Sequence, residues 1–217
     1  MSYKLGRVID HDPRNRDHAF TATPSPTRSR DILWPRHSPI LNQGDLGSCT
    51  GNAMTGWLGC APHVITSDGA DQYDQKMAVE IYSLATQYDS FPGQYPPEDT
   101  GSSGNAAAKA ARSLGLISSW SWAFTTATLM GALQEGPVLI GAPWYEGMFT
   151  PDSDGRVWTT GEMVGGHEFL ARGIEGMDII CDNSWGAEWG QQGSFRIPLS
   201  VWMVLRAERA DVTIPHI

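Results

Sequence analysis

Apolar positions change their period midway along this chain. Over residues 73–88, Met77, Ile81, Leu84 and Tyr88 recur at helical spacing, the stripe of an amphipathic helix turned to a core rather than a cofactor box. Ahead of it, the stretch that starts at Cys49 predicts a helix stopped by Gly59 and Pro62. Behind it, a Pro/Gly-rich loop over 89–102 leads to Ser103, placed to cap an alanine-rich helix that ends at Gly115, and a short helix from Thr126 ends at Gly136. The texture then turns to short strand-like runs at 137–141, 156–160, 167–171, 177–181 and 194–197, with hairpin turns expected at 152–155 and 174–176. A helical first half and an antiparallel second half predict an α+β protein of two lobes, about 43–125 and about 126–217, with a cleft between them.

Residues 1–30 carry no sustained apolar period, so they read as an extended polar and basic arm ahead of a globular part beginning near residue 31. Charge sharpens that division. Residues 1–36 hold seven Lys/Arg against four Asp, which leaves eight basic and twenty acidic residues for the body. The default expectation is a solvated arm, with docking on the body or on an assembly partner as alternatives. An acidic body argues against a nucleic-acid partner. Apolar runs such as 137–140 are too short to cross a membrane, and no signal-peptide core follows Met1. Cys49, Cys60 and Cys181 form neither a disulfide framework nor metal-ligand spacing. A reducing, cytoplasm-like compartment and no metal or cofactor are expected.

Within 42–53, Asn-Gln-Gly-Asp-Leu-Gly-Ser-Cys-Thr-Gly-Asn-Ala, a glycine-bearing turn delivers Cys49 to a helix start. There the helix dipole and unpaired N–H groups favour a thiolate, and the Gln43 amide can donate to an oxyanion beside the sulfur; a buried structural cysteine is the other reading. A hairpin turning at 174–176 with 173 opposite 177 places His167 across from Asn183 on one face, an imidazole beside an amide.

Together, Gln43-x5-Cys49, His167 and the block Asn183-Ser-Trp-Gly-x-x-Trp189-Gly-x-x-Gly193 resemble the papain-like cysteine peptidases over most of 37–195. The Cys-to-His and Cys-to-Asn separations lie at or a little below the roughly 130–150 residues of such chains. The resemblance implies Cys49 as nucleophile, His167 as general acid/base, Asn183 as its orienter, Gln43 as oxyanion donor and Trp185 as a shield over the His–Asn bond. It also implies contacts with a protein or peptide substrate at Gly47, Thr100, Gly101, Gly166, Glu168 and Trp185. A carboxylate at Glu168 would favour Lys or Arg two residues before the scissile bond; alternatively it turns to solvent. Departures are Thr50 where the family carries Trp, and Leu46 where secreted members carry a disulfide cysteine. The motif is closer to the prodomain-free bacterial and phage-encoded branch, and no large propeptide is expected, which leaves restraint of activity to the arm, a partner or a narrow cleft. A catalytically idle papain-like module in a larger assembly, such as a virion, is the competing expectation. A cell-wall amidase fits less well, because the Asn-Ser-Trp-Gly block is not its mark.

Overall fold

A computed structural model describes residues 3–21 and 30–217; the Pro-rich part of the arm at 23–27 lies outside the described residues. The first lobe packs α1 (Cys49–Leu58), α2 (Gln75–Tyr88) and α3 (Gly104–Ser113) around Met54, Leu58, Ile81 and the alanines of α3. Asp74 caps α2 by accepting from the Met77 N–H at 2.9 Å, and Ser103 caps α3 from the Ala106 N–H at 3.1 Å; each cap is worth about 1 kcal/mol. The buried face of α2 is Ala78, Ile81, Tyr82, Ala85 and Thr86; of the expected stripe Ile81 is fully buried, Met77 and Leu84 pack against the core partly buried, and Tyr88 is exposed. Helices α1 and α2 approach closely there: a Cβ at Gly51 of α1 would lie 2.1 Å from the Ala78 carbonyl oxygen. Backbones that near select small residues over large ones.

The second lobe is a twisted antiparallel sheet in the order β2 (Ser119–Trp122), β7 (Asp211–His216), β3 (Val138–Tyr145), β4 (Met163–Glu175), β5 (Asp178–Asp182), β6 (Ser194–Pro198), with β1 (Ile32–Leu33) added to β4. Helices α4 (Thr126–Glu135) and α5 (Leu199–Ala207) accompany it. The expected strand at 156–160 is absent: Arg156 makes a lone bridge to Arg196, and the Asp152 carboxylate ties up the neighbouring N–H groups of Asp154 and Arg156. Strand alternation sorts the two cores. Ile140, Phe169 and Ala171 face the sheet's own core with Trp144 and Phe195, whereas Leu139 and Leu170 face the helices.

The hairpin turns at 175–178, not 174–176, with Glu175 opposite Asp178 and Ile174 opposite Ile179. Continued unbroken, that register would set Asn183 on the face opposite His167. A β-bulge between Ala171 and Gly173 adds one residue and leaves Leu170 opposite Asp182, so Asn183 falls diagonal to His167 on the same face. The bulge is anchored from outside. Asp182, almost fully buried, sits 2.7 Å from Arg36 Nη1 and 2.8 Å from Arg172 Nε, and accepts from Ser194 Oγ at 2.6 Å. Asp182→Asn keeps the shape and removes the charge from a buried cluster; urea unfolding should show a loss of about 3 kcal/mol.

The solvated-arm expectation is overturned for residues 3–10, which lie along the cleft with Arg7 buried. A 3-10 turn at Pro13–His18 follows, and the Phe20 N–H donates to the Trp122 carbonyl at 2.8 Å. Docking uses backbone hydrogen bonds, charge and the two apolar side chains of Tyr3 and Leu5, too few to make an apolar period in the sequence. No helix among the described residues is long and apolar enough to cross a membrane.

Candidate active site

The turn before α1 is stitched to the sheet lobe. The Gln43 N–H donates to Ser184 O at 2.9 Å and the Gly186 N–H to Leu41 O at 3.0 Å, so the loop bearing Cys49 and the loop after β5 move as one. Cys49 opens α1 and is fully buried. Burial pushes its thiol up to about 12, while the neighbouring backbone N–H groups of Glu168, Gly6 and Thr50 oppose that rise. Glu168, whose amide is the largest of those opposing influences, follows His167 directly in β4.

His167 is also fully buried, and burial lowers it to about 4, partly offset by its bond to Asn183. Its Nε2 lies 2.7 Å from Asn183 Oδ1. That oxygen also accepts the Ser184 backbone N–H at 2.8 Å, which fixes the amide's orientation. An oxygen facing Nε2 requires Nε2 to carry the hydrogen; Nδ1, buried and without a hydrogen bond, therefore holds the free lone pair. The neutral imidazole is thus set in the tautomer of a base. Trp185 stacks on the ring at 4.7 Å and 27°, with Trp144 edge-on at 4.9 Å.

Gln43 is held on three sides. Its Oε1 accepts from Ser184 Oγ at 2.6 Å, and Nε2 donates to Leu46 O at 2.8 Å and to Lys4 O at 3.2 Å. The Lys4 carbonyl also accepts from Trp185 Nε1 at 3.3 Å. Past it, the Gly6 and Arg7 N–H groups donate to Gly166 O at 3.3 and 3.0 Å, Ser102 N–H donates to Gly6 O at 2.8 Å, and Val8 N–H donates to Ser102 O at 2.8 Å. Tyr3 stacks on Trp185 at 4.7 Å, and Lys4 Nζ pairs with Asp99 at 3.1 Å.

The structure brings Cys49, His167, Asn183, Gln43, Gly166 and Trp185 to one cleft. Gly47 lines it too, its N–H held by both Asp99 carboxylate oxygens at 3.0 Å. Gly101 lies against the arm, where a Cβ would come 2.3 Å from the Gly6 carbonyl oxygen. Backbone pairing with the arm is made by Ser102, one residue on, while the Gly101 N–H donates to Tyr82 Oη at 3.0 Å and Thr100 Oγ1 to Gly101 O at 3.0 Å. Glu168 is fully buried rather than solvent-facing. Sequence reading passed over Arg7, Asp99, Ser102 and Asp211; the excess of basic residues at the N-terminus was the available signal.

Neither a protein-family model nor a curated protein sequence matches this chain. Solved structures do, and they show the papain-like fold. Xylellain, a cysteine protease from Xylella fastidiosa, is 17% identical with a TM-score of 0.69, covering 100% of this chain and 98% of its own. Digestive procathepsin L2 from Tenebrio molitor larval midgut is 17% identical with a TM-score of 0.64, covering 99% of this chain and 78% of that one. A Carica candamarcensis cysteine protease in complex with E-64 is 15% identical with a TM-score of 0.57, covering 85% of this chain and 98% of its own.

Proposed function

We propose that this papain-like chain is a cysteine peptidase kept latent by its own N-terminal segment. The observation that carries the reading is the bare, buried Nδ1 of His167, its tautomer set by Asn183, on the strand that packs against the helix opened by Cys49. With the cleft open to substrate, Nδ1 takes the Cys49 proton and the thiolate attacks a peptide carbonyl carbon. The developing oxyanion occupies the place of the Lys4 carbonyl oxygen, receiving the Gln43 Nε2–H and the Cys49 backbone N–H. His167 then gives its Nδ1 proton to the leaving amine, and water, deprotonated by the same nitrogen, releases the acyl group from sulfur. A reducing compartment suits a mechanism that needs a free thiol.

Full closure of Cys49 by the arm is the one observation that favours the competing reading, an idle module in an assembly. A peptide pool incubated with an arm-loosened variant such as Arg7→Ala decides between them. Cleavage, with an acyl adduct mapped to Cys49 by mass spectrometry and lost in Cys49→Ala, supports the peptidase; intact peptides and no adduct support the module.

A further inference from the structure

We infer that Asp99 is a positioning residue for the oxyanion donor, acting on Gln43 through the one peptide unit between Leu46 and Gly47; its catalytic meaning rests on the peptidase reading above. That unit is gripped at both polar ends. Its N–H, from Gly47, donates to both Asp99 carboxylate oxygens at 3.0 Å, and its carbonyl, from Leu46, accepts from Gln43 Nε2 at 2.8 Å and from the Ser48 N–H at 2.8 Å. A continuous line of hydrogen bonds therefore runs from a carboxylate, across one peptide, to the side-chain amide beside the Cys49 turn.

The peptide has to be held from outside, because a glycine has the widest choice of backbone conformations and no side chain to pack. No larger residue fits at 47: a Cβ would lie 2.8 Å from Asp99 Oδ1 and 3.3 Å from the Leu5 carbonyl oxygen. Asp99 is itself tied to the helical lobe. The fully buried Tyr82 of α2 donates its Oη–H to Asp99 Oδ1 at 2.6 Å and accepts the Gly101 N–H at 3.0 Å. Burial works to raise the Asp99 carboxyl, but the bonds from Tyr82, Gly47 and Lys4 outweigh it and hold the group below the ordinary carboxylate range. Burial and that carboxylate raise the Tyr82 phenol, which stays a donor.

The charge is what makes the line more than a turn contact. An N–H bonded to an ionised carboxylate forms a stronger bond than one to a neutral acceptor, and it polarises its own peptide so that the carbonyl at the other end accepts more strongly. One Gln43 hydrogen is thereby kept on Leu46 O, and the other is aimed outward, where it now meets the Lys4 carbonyl oxygen at 3.2 Å. Lys4 touches both ends of the line, its ammonium 3.1 Å from Asp99 and its carbonyl on Gln43. Departure of the arm frees both ends and leaves the Asp99–Gly47 grip in place.

The test is a double-mutant cycle in full-length Arg7→Ala, read on one peptide that this variant cleaves. Asp99→Asn should lower kcat/KM at least about tenfold when Gln43 is present and less than about twofold in Arg7→Ala/Gln43→Ala, where the line ends on nothing. Equal losses in the two backgrounds overturn the positioning role and leave the peptidase standing, since a carboxylate that only braced the turn or touched substrate would act without Gln43. Proton–nitrogen NMR of Arg7→Ala/Cys49→Ala gives a second reading that needs no turnover. Asp99→Asn should move the Gln43 side-chain amide proton that faces Leu46 O upfield and leave the Asn183 side-chain amide in place; equal shifts in both amides mean general loosening and overturn the role. The selective shift, with no cleavage by any thiol-bearing variant, keeps the hold of Asp99 on Gln43 and removes the peptidase; neither cleavage nor a Gln43 shift removes both. Asp99→Ser, smaller and uncharged, takes the place of Asp99→Asn if that variant does not fold, with the same outcomes.

Discussion

Gly6→Val should raise the rate at which iodoacetamide labels Cys49 at pH 6 by at least about a hundredfold, while Cys60 and Cys181 stay inert. A Cβ on Gly6 would lie 2.0 Å from the Gly47 carbonyl oxygen, and Gly47 cannot retreat because the Asp99 carboxylate grips its N–H. The arm must leave the cleft. While it is docked, burial sets the thiol near 12 and the imidazole near 4, so at pH 6 the proton stays on sulfur and the ring is neutral. Water entering an open cleft lifts both penalties and favours the ion pair. An unperturbed thiol with a pKa near 8.5 is well under 1% ionised at pH 6, whereas a His-paired one is mostly thiolate. The lower nucleophilicity of a low-pKa thiolate trims the gain without reversing it. Adding His167→Ala should return Cys49 to slow labelling. Peptide mapping gives the rates, and equally slow labelling of all three cysteines in Gly6→Val would sink the reading of a reactive thiol under a removable cover.

Gln43→Ala, made in the Gly6→Val background, should lower kcat/KM by roughly 10²–10³-fold, the scale of one lost oxyanion donor. Ser184 Oγ and Leu46 O clamp one end and one hydrogen of the amide, and the other hydrogen points at the Lys4 carbonyl oxygen. The donor is therefore oriented before substrate arrives, and its stabilisation is realised in the transition state. Loss of the Ser184 bond should cost folding only about 1 kcal/mol, so thermal melting distinguishes a catalytic deficit from a structural one. Gln43→Glu should be at least as slow, since it sets an acceptor where a donor is needed. Near-normal turnover by a well-folded Gln43→Ala would mean that the oxyanion lies elsewhere.

Local chemistry determined much of this protein. Ser103 begins α3 because its side chain takes an end N–H that no helical carbonyl can reach, and Gly136 ends α4 with no need of distant partners. The constellation of Cys49, His167, Asn183 and Gln43 was legible because each residue stands in a short motif whose neighbours have their own tasks, as Ser184 does in holding both Gln43 and the Asn183 loop. Other features depend on contacts between distant segments. The small residues at the α1–α2 contact, Gly51 and Ala78, follow from how near the two helices come. The same-face placement of His167 and Asn183 depends on a bulge held by Asp182, Arg36 and Arg172, three residues remote in sequence. The arm shows the division most clearly. Its sequence has the charge to bind an acidic body but no apolar period to announce a docked segment; only the assembled cleft, with the Gly166 carbonyl, the Ser102 backbone and a carboxylate on either side of Gly141, supplies the partners that bury Arg7.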